Sequence, residues 1–359
     1  MRLRPAALQG LGLGVAAAAL WWLGRNTAAT LDQHGISLGF EFLRQPANFA
    51  IGDTPIAYAP ADSFARAILV GLANTARVSV LGWVFAIALG FLLGVLRLSH
   101  NPAVRGVARA CVELVRNVPL LLLLLFLAAT VQALPAARAA LEPLPGVFVS
   151  DRGLVLPSVA FTSLQVMLGM AALLVLVLSR RFGRARWFIA LAAVAAFIGS
   201  LIAAPPTLER PRLQGFNFVG GLTLSPELTA LLAALVLHHA AHISEVVRGA
   251  ILAVPARQRD AAHALGLSRA QTMRFVVIPQ ALRAMVPLLA TNCVSLTKNS
   301  SLAVAIGFPD VVSVLNTTAN QTGHAIETMV TMIVVYLSLS LVVAAAMNGY
   351  NRRLLRAGH

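Results

Sequence analysis

The chain has 359 residues, 58% of them hydrophobic and only 11% charged, with a mean hydropathy of +0.80. A water-soluble domain of this size has no use for so much apolar surface, so that class is excluded. The net charge of +15 suits either a nucleic acid or a membrane surface, and only its placement along the chain separates the two.

Runs long enough to cross a bilayer recur from end to end. They predict an all-α polytopic membrane protein with about eight transmembrane helices: Leu8–Leu23, Ala67–Leu96, Val118–Leu134, Val155–Leu178, Trp187–Ala204, Leu228–Val247, Ala281–Ile306 and Ile326–Met347. Helices are expected because a spanning segment must satisfy its own backbone hydrogen bonds. The alternation of barrel strands is absent.

The first run follows Met-Arg-Leu-Arg and precedes Thr27-Ala28-Ala29, a pattern shared with secretory signal peptides. Its near-spanning length favours a retained anchor. Residues 24–66 are hydrophilic and Pro-containing and predict an ordered outer cap. Residues 97–117 predict an amphipathic helix after Pro102, with Arg105, Arg109, Glu113 and Arg116 on one face. That helix is expected at the inner interface, before the chain turns into the membrane at Pro119. Residues 135–157 and 205–227 predict outer loops, and the fourth and fifth spans an inserted hairpin joined by Arg180–Arg186. The chain thus divides into an anchor with an outer-side segment (1–63), a first core part (64–134), outer loops with the inserted hairpin (135–222), a second core part (223–350) and a tail (351–359).

Nineteen of the 28 basic residues fall on one side of this eight-span layout, counting Arg283 at the mouth of the seventh span, and seven on the other, with Arg77 and Lys298 within spans. Positive loops stay in the cytoplasm, which places both termini there. The excess therefore sets topology and meets anionic lipid headgroups, and no nucleic-acid partner is expected. Of the two cysteines, Cys111 lies near a membrane edge and Cys293 within a span. Neither suggests a disulfide, and no metal spacing exists.

The polar interruption between the sixth and seventh spans carries the most information. Pro255 suits the first turn of a helix. Gly266 can take the left-handed conformation that ends one. Ser268 with Gln271 can form a capping box on the next, which Pro279 is expected to close at the entrance to the seventh span. The expected product is helix, glycine turn, helix. Its apolar residues Ala261, Ala264, Leu265 and Leu267 would stay poorly buried without a partner's groove. A generic helical hairpin is the plainer alternative.

Asp260-Ala261-Ala262, three residues, Gly266, nine residues, Val276, Val277, Ile278 and Pro279 meet every spacing of the Glu-Ala-Ala loop of permease subunits in ABC importers. Asp260, Val276 and Ile278 stand where that pattern has Glu, Ile and Leu. HHAAHISEVVRGAI before the loop, IPQALRAMVPLL and SLTKNSSLAVAIGFPDVV after it, and VELVRNVPLLL at 112–122 resemble the polar amino-acid uptake branch. The long outer connection and extra spans resemble its general L-amino-acid permease subgroup. The resemblance implies a type I ABC importer permease fold in a bacterial inner membrane, working by alternating access. Asp260, Ala261, Ala262, Gly266, Ile278 and Pro279, within a coupling loop at 255–280, would receive the push of an ABC ATPase dimer. ATP and Mg would sit on that ATPase, and no cofactor on this chain. The other implied partners are a related second permease forming a heterodimer, a periplasmic amino-acid-binding protein and a polar L-amino acid substrate. A phosphate-binding loop of the Walker type needs Gly-x-x-x-x-Gly-Lys-Ser/Thr. Lys298 is the sole lysine, and no such loop precedes it. The chain is therefore not expected to be an enzyme.

Ionisable groups within spans are costly and commonly functional. Lys298, Asn299 and Ser300, in a polar stretch ending at Ser301, are candidate pathway residues. The alternatives are a lysine snorkelling to headgroups and polar side chains bonding between helices. Arg77 either snorkels or binds a substrate carboxylate. Glu245 with Arg248, and Glu113 with Arg116, predict structural ion pairs at i, i+3. His238, His239 and His242 lack a carboxylate to complete a metal site. A self-sufficient secondary transporter or channel is the rival function, but it calls for an inverted repeat or a midplane ion site, and neither is evident.

Overall fold

The computed structural model describes residues 5–33, 39–178 and 186–356. Arg2, Arg4, Arg180, Arg181 and Arg184 of the topology argument, and the tail after residue 356, lie outside the described residues. The chain divides into two compact units. One comprises residues 1–75 and 309–342, the other 76–308 and 343–359.

The first unit opens with α1 (Pro5–Gln33), which contains the first expected span. A 3-10 turn at Glu41–Arg44 follows, then the start of α2 (Phe64–Leu96). Phe42, Ala47, Phe64, Ala67 and Val314 form a small core, with Phe49, Ile51 and Tyr58 packed against it. The connection at 39–63 is thus folded. Tyr58 Oη donates to the Phe49 carbonyl at 2.8 Å, and the Arg66 guanidinium donates to the Ala57 carbonyl at 2.7 and 3.0 Å. Asp310 caps α11 (Val311–Thr322) by accepting from the Ser313 N–H at 2.8 Å, and Tyr336 Oη donates to its other oxygen at 3.3 Å. Burial pushes this carboxyl up to about 7. Glu327, near the start of α12 (Ala325–Arg356), accepts from the Gly39 N–H at 2.9 Å.

The second unit holds the larger core. α2 continues through it, followed by α3 (Pro102–Arg116) and α4 (Leu120–Gln132). Asn101 caps α3, and Pro119 stands at the start of α4 after a bend of 102°. Strands β1 (Leu141–Leu144), β2 (Val147–Ser150) and β3 (Gly153–Leu156) come next, then β4 (Ser158–Ala160). α5 (Ser163–Leu178) and α6 (Arg186–Ala203) pack on each other. Gln165, nearly fully buried, donates to the Ser200 and Ala204 carbonyls at the end of α6, where a helix C-terminus leaves carbonyls such as that of Ala204 open. β5 (Thr207–Glu209), β6 (Arg212–Gln214), β7 (Asn217–Val219) and β8 (Leu222–Leu224) precede α7 (Pro226–Leu252). β1-β2-β3-β8 form one antiparallel sheet, while β4 pairs β5 and β6 pairs β7.

Two expectations are corrected here. The fold is helical but not all-α, because the segments expected as loops pair into short strands. The expected fourth span from Val155 begins instead as strand: Gly153 has φ +94°, Val155 is buried, Pro157 separates β3 from β4, and the helix starts only at Ser163. Among the described residues, four helical stretches are long and apolar enough to cross a membrane: Phe64–Leu96, Pro226–Leu252, Arg269–Ile306 and Ala325–Met347. A fifth is counted if α3 and α4 are one broken span. The expected third span yields only the 13 residues of α4, about 20 Å of helix against a hydrocarbon core of about 30 Å.

α2 approaches α7 closely through Gly90-Phe-Leu-Leu-Gly94. A Cβ at Gly90 would lie 2.5 Å from Ile243 Cγ2, and one at Gly94 2.7 Å from Val247 Cβ and 3.0 Å from the Ser244 carbonyl. Small residues four apart let two helices meet without a large side chain between them. Val78, Ala86, Leu124, Leu235, Ile243, Val247, Ala281 and Leu296 fill the core around this contact.

Candidate functional site

Two features of the second unit stand out, a projecting hairpin and a charged cluster next to a cavity. The hairpin starts at α8 (Ala256–Ala264) with Pro255 as its N-cap. It ends in a Schellman motif: the Leu267 N–H bonds the Ala262 carbonyl at 3.1 Å and the Gly266 N–H bonds the His263 carbonyl at 2.9 Å. Gly266 has φ +79°, and nothing lies within 4 Å of where its Cβ would stand. Backbone conformation, not space, therefore requires the glycine. Ser268 and Gln271 form the capping box on α9 (Arg269–Thr272).

Pro279 does not close that second helix, contrary to expectation. A π-helical turn at Met273–Val277 joins α9 to α10 (Ile278–Asn299), with Pro279 in the first turn of α10. The Ile278 N–H reaches the Met273 carbonyl, five residues back. A local widening of this kind carries a helix past a residue that cannot donate. The hairpin's second arm and the next long helix are thus continuous. Leu265 is 82% exposed and Phe275 61%, so two large apolar side chains stand largely open on the hairpin surface. Asp260 and Ala261 are exposed as well, Ala262 is buried, and Ile278 and Pro279 are exposed.

The charged cluster centres on Glu245 of α7. Its carboxylate meets Arg248 one turn on, Arg97 at the end of α2 at 2.7 Å and, more loosely, Arg116 at the end of α3 at 3.9 Å. Arg97, with 8% of its side chain exposed, also donates to Ser244 Oγ at 3.2 Å. The expected Glu245–Arg248 pair is therefore one edge of a cluster that ties three helices. The expected Glu113–Arg116 pair is corrected: Glu113 takes Arg109 instead, at 2.7 Å and i, i+4, while Arg116 faces α7. Arg97 was missed by a reading that compared only neighbours along one helix.

A cavity of about 540 Å³ opens beside this cluster, bounded by Arg116, by His242, Glu245 and Gly249 of α7, and by Ala284, Leu288 and Asn292 of α10. Asn292 carries no signal in the sequence beyond being polar in an apolar run. The His238 and His242 rings lie 4.8 Å apart, and among the described residues no group of three or more His, Cys, Asp or Glu is placed to hold a metal. The polar stretch after Thr297 divides. Lys298 is exposed, and Ser300 is buried and donates to the Thr297 carbonyl at 2.8 Å. The Asn299 amide lies 3.3 Å from His239 Nε2. None of the three borders this cavity, nor does Arg77, half-buried on α2.

A family model described as "Binding-protein-dependent transport system inner membrane component" matches residues 86–356. The permease protein YhdX of Escherichia coli (strain K12) is 41% identical over 351 residues, covering 93% of this chain and 89% of the relative. The general L-amino acid transport system permease protein AapQ of Rhizobium johnstonii is 37% identical over 354 residues, covering 93% and 88%. BztB of Rhodobacter capsulatus, a permease protein of a glutamate/glutamine/aspartate/asparagine transport system, is 35% identical over 398 residues, covering 98% and 93%. Among solved structures, an amino acid ABC transporter crystallised with histidines has a TM-score of 0.51 at 19% identity, covering 81% of this chain and 95% of the other.

Proposed function

Because the chain belongs to the family of binding-protein-dependent transport system inner membrane components, we propose that it forms part of the pore of an ATP-driven importer of polar L-amino acids. Its fold is that of a type I importer permease. It is a permease subunit and not an enzyme, and ATP hydrolysis belongs to a separate subunit. The substrate class rests on what the relatives AapQ and BztB are named for.

The observation that carries the mechanism is the hairpin. It projects Leu265 and Phe275 largely exposed, and its second arm runs without a break into α10, which borders the cavity through Ala284, Leu288 and Asn292. An ATPase dimer holding ATP and Mg docks on Asp260–Pro279. Closing of that dimer draws the hairpin, and α10 carries the displacement to the cavity wall that it shares with α7. Alternating access is the result. The cavity is the translocation path in this reading, with His242 and Asn292 at its wall. Lys298, Asn299, Ser300 and Arg77 serve at another level of the path. Glu245 and its arginines hold α2, α3 and α7 in register.

The assembly in this proposal is a heterodimer with a second permease, served by a periplasmic binding protein, in a bacterial inner membrane. Both termini are cytoplasmic and the spans number eight, with α1, α4, α5 and α6 crossing the membrane in addition to the four long apolar stretches. The test is uptake into proteoliposomes of labelled amino acids by the chain with its partner subunits, with ATP inside or omitted. ATP-dependent accumulation of several polar L-amino acids is expected. Transport by this chain alone, indifferent to ATP, would refute the proposal.

A further inference from the structure

We propose that the basin between the end of α2, α3 and the end of α7 is a binding site for a phosphate group. The basin has a volume of about 440 Å³, and every residue lining it is charged: Arg97, Arg105, Arg109, Arg116 and Arg248, with Glu113 and Glu245. Five guanidiniums against two carboxylates leave three positive charges in one concavity. The carboxylates are already engaged, Glu113 by Arg109 and Glu245 by Arg97 and Arg248. Arg105 reaches the Ser99 carbonyl through Nη1 at 3.3 Å, and Arg116 stays 3.9 Å from Glu245. Both line the basin and have N–H groups beyond those contacts.

An excess of like charge lining one concavity favours a further anion. A phosphate group answers both the charge and the geometry. Its several oxygens accept from guanidiniums arriving from different helices, and the planar fork of arginine matches two of those oxygens at once. A single carboxylate would leave most of the excess unanswered. The volume leaves room for the substituent of a phosphate ester.

Two sources supply such a group. Val107 and Leu114 are exposed on the side of α3 away from its arginines, as in a helix lying at a bilayer surface, where the phosphate of an anionic lipid headgroup is at hand. Free phosphate in solution is the other source. Either ligand would tie α3 to α2 and α7 across the same junction that Glu245 holds.

The experiment uses the full chain, purified in detergent with its transporter partners and stripped of lipid. Thermal unfolding is followed with added phosphatidylglycerol, phosphatidylcholine or inorganic phosphate, for the wild type and for R105Q/R109Q. The expected result is a rise of several degrees with phosphatidylglycerol but not with phosphatidylcholine, cut by at least half in the double variant. The same rise with inorganic phosphate, also lost in the variant, assigns the site to the soluble anion. A phosphatidylglycerol effect alone assigns it to lipid. Equal effects of the two lipids with none from phosphate, or equal shifts in wild type and variant, overturn the proposal. Arg105 and Arg109 are both exposed, so the variant is expected to fold. Should it fail, R105Q alone is compared by native mass spectrometry, and unchanged retention of phosphatidylglycerol or phosphate relative to wild type counts against the site.

Discussion

The hairpin at 255–278 and the Glu245 cluster sit in the same unit and are held together in opposite ways. The hairpin uses bonds between residues at most a turn and a half apart: the Schellman pair around Gly266 and the Ser268–Gln271 box. The cluster joins Arg97 to Glu245 across 148 positions of sequence, and it can form only because Gly90 and Gly94 let α2 lie against α7. A part that must move against a partner benefits from internal self-sufficiency, since it keeps its shape when its surroundings shift. A part that must hold several helices in register has to be built from distant residues.

The largest effect in this contrast is expected from Glu245→Ala. It leaves Arg97, with 8% of its side chain exposed, without its counter-charge. A loss of roughly 2–4 kcal/mol is expected, below the full cost for a buried pair because Glu245 itself is partly exposed. Thermal unfolding of the purified complex measures it, and an unchanged midpoint would dissolve the cluster as a fastening. Gly94→Val should cost about 1–3 kcal/mol by overpacking, and its effect should be non-additive with that of Glu245→Ala, since both act on one junction. Strict additivity in a double-mutant cycle would show that helix approach and ion pairing are independent.

On the hairpin side, Ser268→Ala removes a cap worth about 1 kcal/mol. Hydrogen exchange should rise in α9 while α2 and α7 keep their protection. Exchange rising equally in all three would mean that the hairpin is not a separate unit of stability. The smallest effect belongs to Glu113→Gln. Its pair with Arg109 is solvent-exposed, so no resolvable shift of the unfolding midpoint is expected. A loss as large as that of Glu245→Ala would place Glu113 in the fastening after all.

This difference also explains what could be read from the sequence. Gly266, Ser268 and Gln271 announce their conformations within a few residues, so the hairpin was legible from spacing. Its exit was not. Pro279 read as a helix end, because sequence spacing does not show that a π turn can carry the backbone past the missing N–H. Glu113 has a basic residue at both i−4 and i+3, and spacing alone cannot choose between them. Packing decides, because Arg116 turns toward α7. Arg97 and Asn292 gave no local signal, since a charge at the end of one helix and an amide in the middle of another gain meaning only when the helices meet. The strands at 153–156 were hidden because Leu-Val-Leu reads equally well as the start of an apolar run.

Coupling of ATP hydrolysis to uptake requires that the hairpin transmit force. The measurement that tests it most directly is the ratio of amino acid imported to ATP hydrolysed in proteoliposomes, for the wild type and for Gly266→Val. The φ of +79° is one a β-branched residue resists. The substitution therefore strains the turn while the cluster at Glu245 stays intact. Normal assembly and continued ATP hydrolysis are expected, with uptake per ATP lower by about tenfold or more. An unchanged ratio in a correctly assembled complex would contradict that role of the hairpin.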